Sequence, residues 1–263
     1  MARESLKNVL RLIESAKDEL PMEQAFLEDL KRSIEMDSRK HSRKPSATYK
    51  PSSMNCIRNM YYQVTDTDQD EGYTPYAMVG ICNSGSDIHE RIQKAVSCMK
   101  DNDMDCEYID VAEYVTSRGL TDKIEIVSQQ GMETKLYHKD LNMSFLCDGI
   151  IRYHGHYYIL ELKTESSYKF INRKGVDPYH YNQGIAYSIA FGLDEVIFVY
   201  ISRDNLDMRS YMFIPSSDMK QDLIGRIDLC NKYVALGQLP PIPDNVPKKS
   251  CSYCSYRSRC NNE

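Results

Sequence analysis

Tryptophan is missing altogether, although tyrosine occurs 20 times and phenylalanine 6 times. Aromatic stacking on a ligand would therefore fall mainly to tyrosine, whose apolar ring carries a polar tip. Long apolar runs are missing too: no stretch approaches the roughly 20 residues that cross a bilayer, and no N-terminal targeting pattern is visible. A cytoplasmic protein with no membrane contact is expected. There is no internal repeat, which excludes solenoid and propeller arrays. Nor is there a surplus of positive charge: 33 Lys and Arg against 38 Asp and Glu leave a formal charge of −5. That excludes a uniformly basic coat, but local distribution decides affinity for phosphates. Acidic residues gather in Asp66 to Glu71 and Asp101 to Asp110. Basic ones gather in Arg39 to Lys44, Lys163 to Lys174 and Lys248 to Arg259. Finally, the cysteine count is odd, nine, which argues against a complete disulfide framework.

At 263 residues and 41% hydrophobic content, the chain is long enough for a sizeable core. Its most informative stretch runs from Cys147 to Lys163. Runs rich in Ile, Tyr and Leu flank His154-Gly155, and a two-residue hairpin loop needs positive φ, which Gly takes freely and His tolerates. With that loop, Tyr153 faces His156, and counting back along both strands sets Asp148 opposite Glu161. Facing residues have Cβ atoms about 4.5–5.5 Å apart, so both carboxylates reach one divalent cation. Lys163 falls on the face of Glu161, whereas Tyr158, Leu160 and Leu162 point the other way, towards a core. Taken alone, the hairpin also fits a solvated sheet face with alternating charge.

Elsewhere, Gly85-Ser86-Asp87-Ile88-His89 opens a predicted helix over 83–99, and Gln183-Gly184-Ile185-Ala186-Tyr187 lies in a helix expected over 179–192. Four-residue spacing sets Gln183 and Tyr187 on one helix face. Further elements are expected as two short helices between Glu4 and Met36 broken at Pro21, and a polar linker or nucleic-acid-contacting arm from Asp37 to Ser53. A first core strand is expected from Gln130 to His138, the hairpin over Met143 to Lys163, strands over 195–202 and 208–214, and a helix over 217–236. At the C-terminus, Cys251, Cys254 and Cys260 form a C-x2-C-x5-C triplet, one ligand short of a tetrahedral site, with Cys56 as the expected fourth. Cys82, Cys98, Cys106, Cys147 and Cys230 are expected to be thiols, mostly buried.

Asp148 followed by Glu161-Leu162-Lys163, with the preceding Gly-x-x-x-His and following Gln-x-x-x-Tyr, resembles the RecB-like PD-(D/E)XK nuclease superfamily. Cys56 with the C-terminal triplet resembles the iron–sulfur staple of AddB-type nuclease domains and CRISPR-associated exonucleases. The resemblance covers roughly Ser52 to Cys260; Cys147 stands where the superfamily name has Pro, and the 101–122 insertion has no counterpart in the motifs. It implies a restriction-endonuclease-like α/β core, a central mixed sheet flanked by helices, with an N-terminal helical extension over 1–50 and a nuclease domain over 51–263. It implies Mg²⁺ or Mn²⁺ held by His89, Asp148, Glu161 and the Leu162 carbonyl. It implies catalysis by Asp148, Glu161 and Lys163, with Gln183 and Tyr187 positioning the lysine and the nucleic acid. Cys56, Cys251, Cys254 and Cys260 would hold a 4Fe-4S cluster, with Zn²⁺ as the alternative that spacing leaves open. Arg58, Tyr168, Lys169, Gln183 and Tyr187 are the expected nucleic-acid contacts.

The implied activity is trimming of single-stranded DNA ends, with 5′-to-3′ direction a carry-over from relatives rather than a reading of these residues. A recombination or CRISPR-adaptation protein is the implied partner, and an oligomer is compatible. A non-catalytic DNA-end or protein-binding module on the same fold, and a structure-specific endonuclease, are the competing readings.

Overall fold

The computed structural model describes residues 21–40, 46–70, 74–130, 132–243, 246, 251–252 and 254–262. The helix expected before Pro21, the basic residues 41–44, Lys248, Lys249 and Tyr253 lie outside them. The chain divides into two compact units. One comprises residues 1–44 and 73–83; the other comprises residues 45–72 and 84–263.

In the first unit, helix α1 (Met22–Lys40) starts just after Pro21, whose carbonyl accepts the first amide bonds of the helix. Glu35 accepts the Tyr76 amide at 3.0 Å, and the Lys31 ammonium sits 5.4 Å from the centre of the Tyr76 ring. Residues 37–40, expected to belong to a linker, are its last turn.

In the second unit, residues 46–53 are no tether either. Tyr49 is fully buried, pairs through its backbone with Asn142 and Ser144, and donates its hydroxyl to Asn231 at 2.7 Å. A short 3-10 turn (Pro51–Ser53) leads into α2 (Ile57–Val64), and α3 (Tyr76–Ser97), whose residues up to Asn83 belong to the first unit, begins seven residues before the expected Asn83. Two glycines, Gly80 and Gly85, hide that helix from a propensity reading, because each disfavours a helix interior by about 1 kcal/mol relative to Ala. Gly85 is there for close approach: a Cβ on it would stand 3.1 Å from Thr164 Oγ1.

The core is α/β. A five-stranded mixed sheet runs in the order β1 (Cys106–Ile109), β5 (Gly149–Tyr153), β6 (His156–Glu165), β7 (Val196–Ser202), β8 (Met208–Phe213), with only β6 and β7 parallel. A parallel pair needs a long crossover, here α5 (Ser167–Ile171), a 3-10 turn (Pro178–His180) and α6 (Tyr181–Phe191). Helix α3 covers one face, where Ile88 packs with Leu160, Leu162 and Ile201. The other face carries α6 and α7 (Ser217–Leu236), where Ile185, Phe191, Leu223 and Ile227 join Ile159, Phe198 and Tyr200. With both faces covered, the β7 residues Val196-Ile197-Phe198-Val199-Tyr200 are apolar throughout, as such a strand must be.

A second, three-stranded antiparallel sheet joins β2 (Ile124–Gln130), β3 (Glu133–His138) and β4 (Met143–Cys147). This corrects the expectation of a core strand over 130–138 followed by a single hairpin over 143–163: β3 belongs to the smaller sheet, and the chain changes sheets at Asp148. The 101–122 insertion supplies edge strand β1 and helix α4 (Val111–Ser117), which Asp110 caps by accepting the Glu113 amide at 2.9 Å. No described helix is long and apolar enough to cross a membrane.

Candidate functional site

The hairpin has the expected register. His154 and Gly155 take φ values of 48° and 82°, and Tyr153 pairs with His156 and Gly149 with Leu160. Asp148 is therefore one step beyond the last pair, level with Glu161. Because β5 stops there, residues 161–165 of β6 have β7 on one side and no described strand on the other. Side chains from α3 and α6 enter that notch.

Asp148 fills it first. Its Oδ2 accepts the Leu162 amide at 2.7 Å, and its Oδ1 lies 3.3 Å from His89 Nδ1. In an extended strand a residue's N–H and C=O leave on the same side, so the Leu162 carbonyl also points into the notch. Glu161 is 2% exposed; its Oε1 accepts from Lys163 Nζ and, at 2.6 Å, from Gln183 Nε2. Gln183 Oε1 accepts from Lys163 at 2.8 Å, its Nε2 also donates to Tyr187 at 2.9 Å, and the Tyr187 hydroxyl donates to Leu146 O at 2.5 Å. The expected Asp148, Glu161, Lys163, His89, Gln183 and Tyr187 thus converge. Tyr187, however, is 2% exposed, so the expectation that it contacts nucleic acid is corrected: it reaches the site only through Gln183.

Two residues escaped the sequence reading. Gln93 is 2% exposed and donates to Asp148 O at 2.7 Å; the Tyr108 hydroxyl shares its one proton between Met132 O at 3.1 Å and that same Asp148 oxygen at 3.2 Å. Gln93 lies four residues after His89, on the same helix face, and that spacing was the available signal. Tyr108 gave none, because its strand was unpredicted.

Electrostatics follow from burial and neighbours. Desolvation pushes the Glu161 carboxyl up to about 7 against the pull of the Lys163 ammonium, with Asp148 adding to the rise. Burial lowers the His89 value, but the hydrogen bond and charge of Asp148 outweigh it and the imidazole is raised overall. Glu161 Oε2 is buried with no hydrogen-bond partner among the described residues, a state that costs about 1–3 kcal/mol or more for a charged group. An orphaned carboxylate oxygen beside Asp148 Oδ1 and His89 Nδ1 is a donor set that suits Mg²⁺ or Mn²⁺. As the side chains stand, no group of three or more His, Cys, Asp or Glu among the described residues is placed to hold a metal ion, neither here nor at the four cysteines described below.

The raised Glu161 value has a testable sign. Its unfolded-state value lies near 4.5, so stability from the neutral carboxyl is complete below that pH and is lost as pH rises to about 7. In chelator, wild type should therefore lose melting temperature relative to Glu161→Gln between pH 4.5 and 7, and divalent cation should shrink the gap. A gap independent of pH would refute the raised value.

Elsewhere in the second unit, Cys56, Cys251, Cys254 and Cys260 all line one cavity of about 160 Å³. Cys56 is the N-cap of α2, and Asp70 fastens the triplet by accepting the Ser258 and Arg259 amides at 2.6 and 3.3 Å. Burial pushes the Cys56 and Cys254 thiols up; a bound metal cation reverses such a shift. Tyr62 and Tyr256 are buried against each other with ring centres 5.2 Å apart. Arg58, expected among the phosphate contacts, is 6% exposed and turned towards Cys260. Of the remaining cysteines, Cys106, Cys147 and Cys230 are buried as expected, but Cys82 and Cys98 are exposed.

Tyr168 and Lys169 are on the surface, Tyr168 80% exposed, at the mouth of a groove with Asn172 and Lys174. Arg173 anchors the groove: its guanidinium donates to Glu165 at 2.5 and 2.6 Å and stacks 3.8 Å from the Tyr200 ring centre.

No family model matches this sequence, and no curated protein matches it. A solved structure described as "Crystal structure of SSO0001" is similar with a TM-score of 0.45 and 17% identity, over 90% of this chain and 96% of that one.

Proposed function

We propose that this protein is a divalent-metal-dependent deoxyribonuclease of the RecB-like PD-(D/E)XK kind that trims single-stranded DNA ends. The observation that carries the reading is the notch beside β6, where Asp148, Glu161 and Lys163 meet His89 from α3 and Gln183 from α6. His89 Nδ1, Asp148 Oδ1, Glu161 Oε2 and the Leu162 carbonyl would hold the cation. When bound, Mg²⁺ or Mn²⁺ lowers the pKa of a water and neutralises charge on the phosphodiester. Lys163, held by Gln183, orients the attacking water and stabilises the anionic phosphate. Tyr187 fixes the Gln183 rotamer, and Gln93 and Tyr108 fix the backbone of Asp148. None of these groups reads a base, so cleavage is sequence-independent.

Cys56, Cys251, Cys254 and Cys260 hold a 4Fe-4S cluster in this reading, with Zn²⁺ as the alternative, and close a loop of roughly two hundred residues around the nuclease core. The partner is DNA with a free single-stranded end.

The test is cleavage of linear single-stranded DNA, labelled separately at each end, by anaerobically purified protein with Mn²⁺ or EDTA. Metal-dependent shortening is expected, and the label lost first gives the direction. Degradation of circular single strands would replace the exonuclease with an endonuclease, and binding of ends without any cleavage would favour the binding module.

The exposed Tyr168 ring supplies a stacking platform beside Lys169 and Lys174. Base–aromatic stacking contributes about 1–3 kcal/mol per base, so Tyr168→Ala should raise KM for single strands roughly five- to hundred-fold with kcat little changed, and Tyr168→Phe should restore it. An unchanged KM would remove Tyr168 from the binding path.

A further inference from the structure

Arg58 carries a buried charge that the carboxylate site does not use. It is 6% exposed, its Nε has no hydrogen-bond partner among the described residues, and its Nη1 donates to Cys260 O at 3.3 Å and Cys260 Sγ at 3.6 Å. Next to it, Asn59 Nδ2 donates to Cys254 Sγ at 3.5 Å. A guanidinium stays charged at any pH a protein meets, and a buried charge needs a counter-charge. The cavity it faces has Lys50, Arg58 and Arg257 in its wall and, among the described residues, no aspartate or glutamate. The groups there that can become anionic at moderate cost are the four thiols. A neutral thiol is a weak acceptor, whereas a metal-bound thiolate is a strong one. The N-terminus of α2, capped by Cys56, adds partial positive charge on the same side.

We propose that Arg58 and Asn59 are positioning residues for a four-thiolate metal centre: the guanidinium balances its negative charge at Cys260 and the amide donates to Cys254, and together they set how firmly the thiolates keep their metal. This rests on the reading of Cys56, Cys251, Cys254 and Cys260 as ligands. Outer hydrogen bonds and nearby charge tune metal affinity and, for an iron–sulfur centre, reduction potential. Removing a cation beside the sulfurs makes the thiolates easier to protonate and a cluster harder to reduce.

The experiment uses the full chain, purified anaerobically, as wild type, Arg58→Gln, Arg58→Lys and Asn59→Ser. Iron and zinc are counted by elemental analysis, metal loss to EDTA is timed, and the pH of half-loss is read from a series of buffers. Arg58→Gln should lose metal about ten- to hundred-fold faster, the range of a charge-assisted hydrogen bond. Its half-loss should also move to higher pH, and Arg58→Lys should recover much of both. If iron is present, dithionite titration should give Arg58→Gln a more negative potential. Should Arg58→Gln fail to fold, Asn59→Ser carries the same test with a smaller shift. Metal-loaded wild type whose variants release metal at the wild-type rate and pH would overturn the role of Arg58 and Asn59 while leaving the centre standing. Wild type with neither iron nor zinc would overturn the centre and this inference together; neither result depends on cleavage of DNA.

Discussion

Lys163→Ala should lower metal-dependent cleavage of linear single-stranded DNA by at least roughly 10²–10³-fold, the cost of removing one preorganised charge from a reacting centre. Two effects reinforce each other. Lys163 is the cation that Gln183 holds in the notch at 2.8 Å, and alanine leaves that position without its charge. It is also the strongest pull against protonation of Glu161, so the variant holds the Glu161 proton to higher pH and takes up cation less readily. Single-turnover cleavage at saturating Mn²⁺ isolates the first effect, and cation titration at fixed pH measures the second. Far-UV circular dichroism should be unchanged, because the substitution leaves the backbone pairing of β6 with β7 in place. Wild-type cleavage by Lys163→Ala would remove the lysine from the mechanism.

Cys254→Ala should be costly in a different way. A cross-link joining Cys56 to the triplet restricts an unfolded loop of roughly two hundred residues, worth on the order of 5 kcal/mol in the chain-entropy model, a large share of the 5–15 kcal/mol by which domains are typically stable. The variant should lose its bound metal, its soluble yield and much of its melting temperature. Cys98→Ala, an exposed cysteine outside the cavity, should change none of these. Unchanged metal content and melting temperature in Cys254→Ala would take that residue out of the ligand set.

Both predictions concern residues that sequence reasoning reached, and the reason is chemical. The His154-Gly155 loop admits one register, and one register sets Asp148 against Glu161. Helix α7 was read at its observed bounds, 217–236, because Ser216 caps it and Gly237 ends it. The smaller sheet was hidden because β4 and β5 are separated only by Asp148, so their apolar residues read as one strand; which sheet each half joins depends on long-range pairing partners. The role of Arg58 was hidden for a related reason. A basic side chain two residues after a cysteine looks the same in sequence whether it faces phosphate or sulfur, and only burial tells them apart. Gln93 and Tyr108 act on a backbone oxygen, so apart from the spacing of Gln93 from His89 they leave no pattern of residue types to recognise.

The segment from Tyr49 to Val64 is held by the far end of the chain: Tyr49 on Asn231, the Met54 carbonyl accepting from Arg226 at 2.6 Å, and Cys56 facing Cys260 across the cavity. On a ribosome adding about 5–20 residues per second, some ten to forty seconds separate the emergence of Cys56 from that of Cys260. For that interval the first thiol has no partners, and the strap that carries it has no floor to lie on. If these four thiols hold a metal, as proposed, it cannot be fully held before Cys260 has emerged, and oxidants or competing metals that meet the nascent chain would reach Cys56 before the other three cysteines exist to protect it.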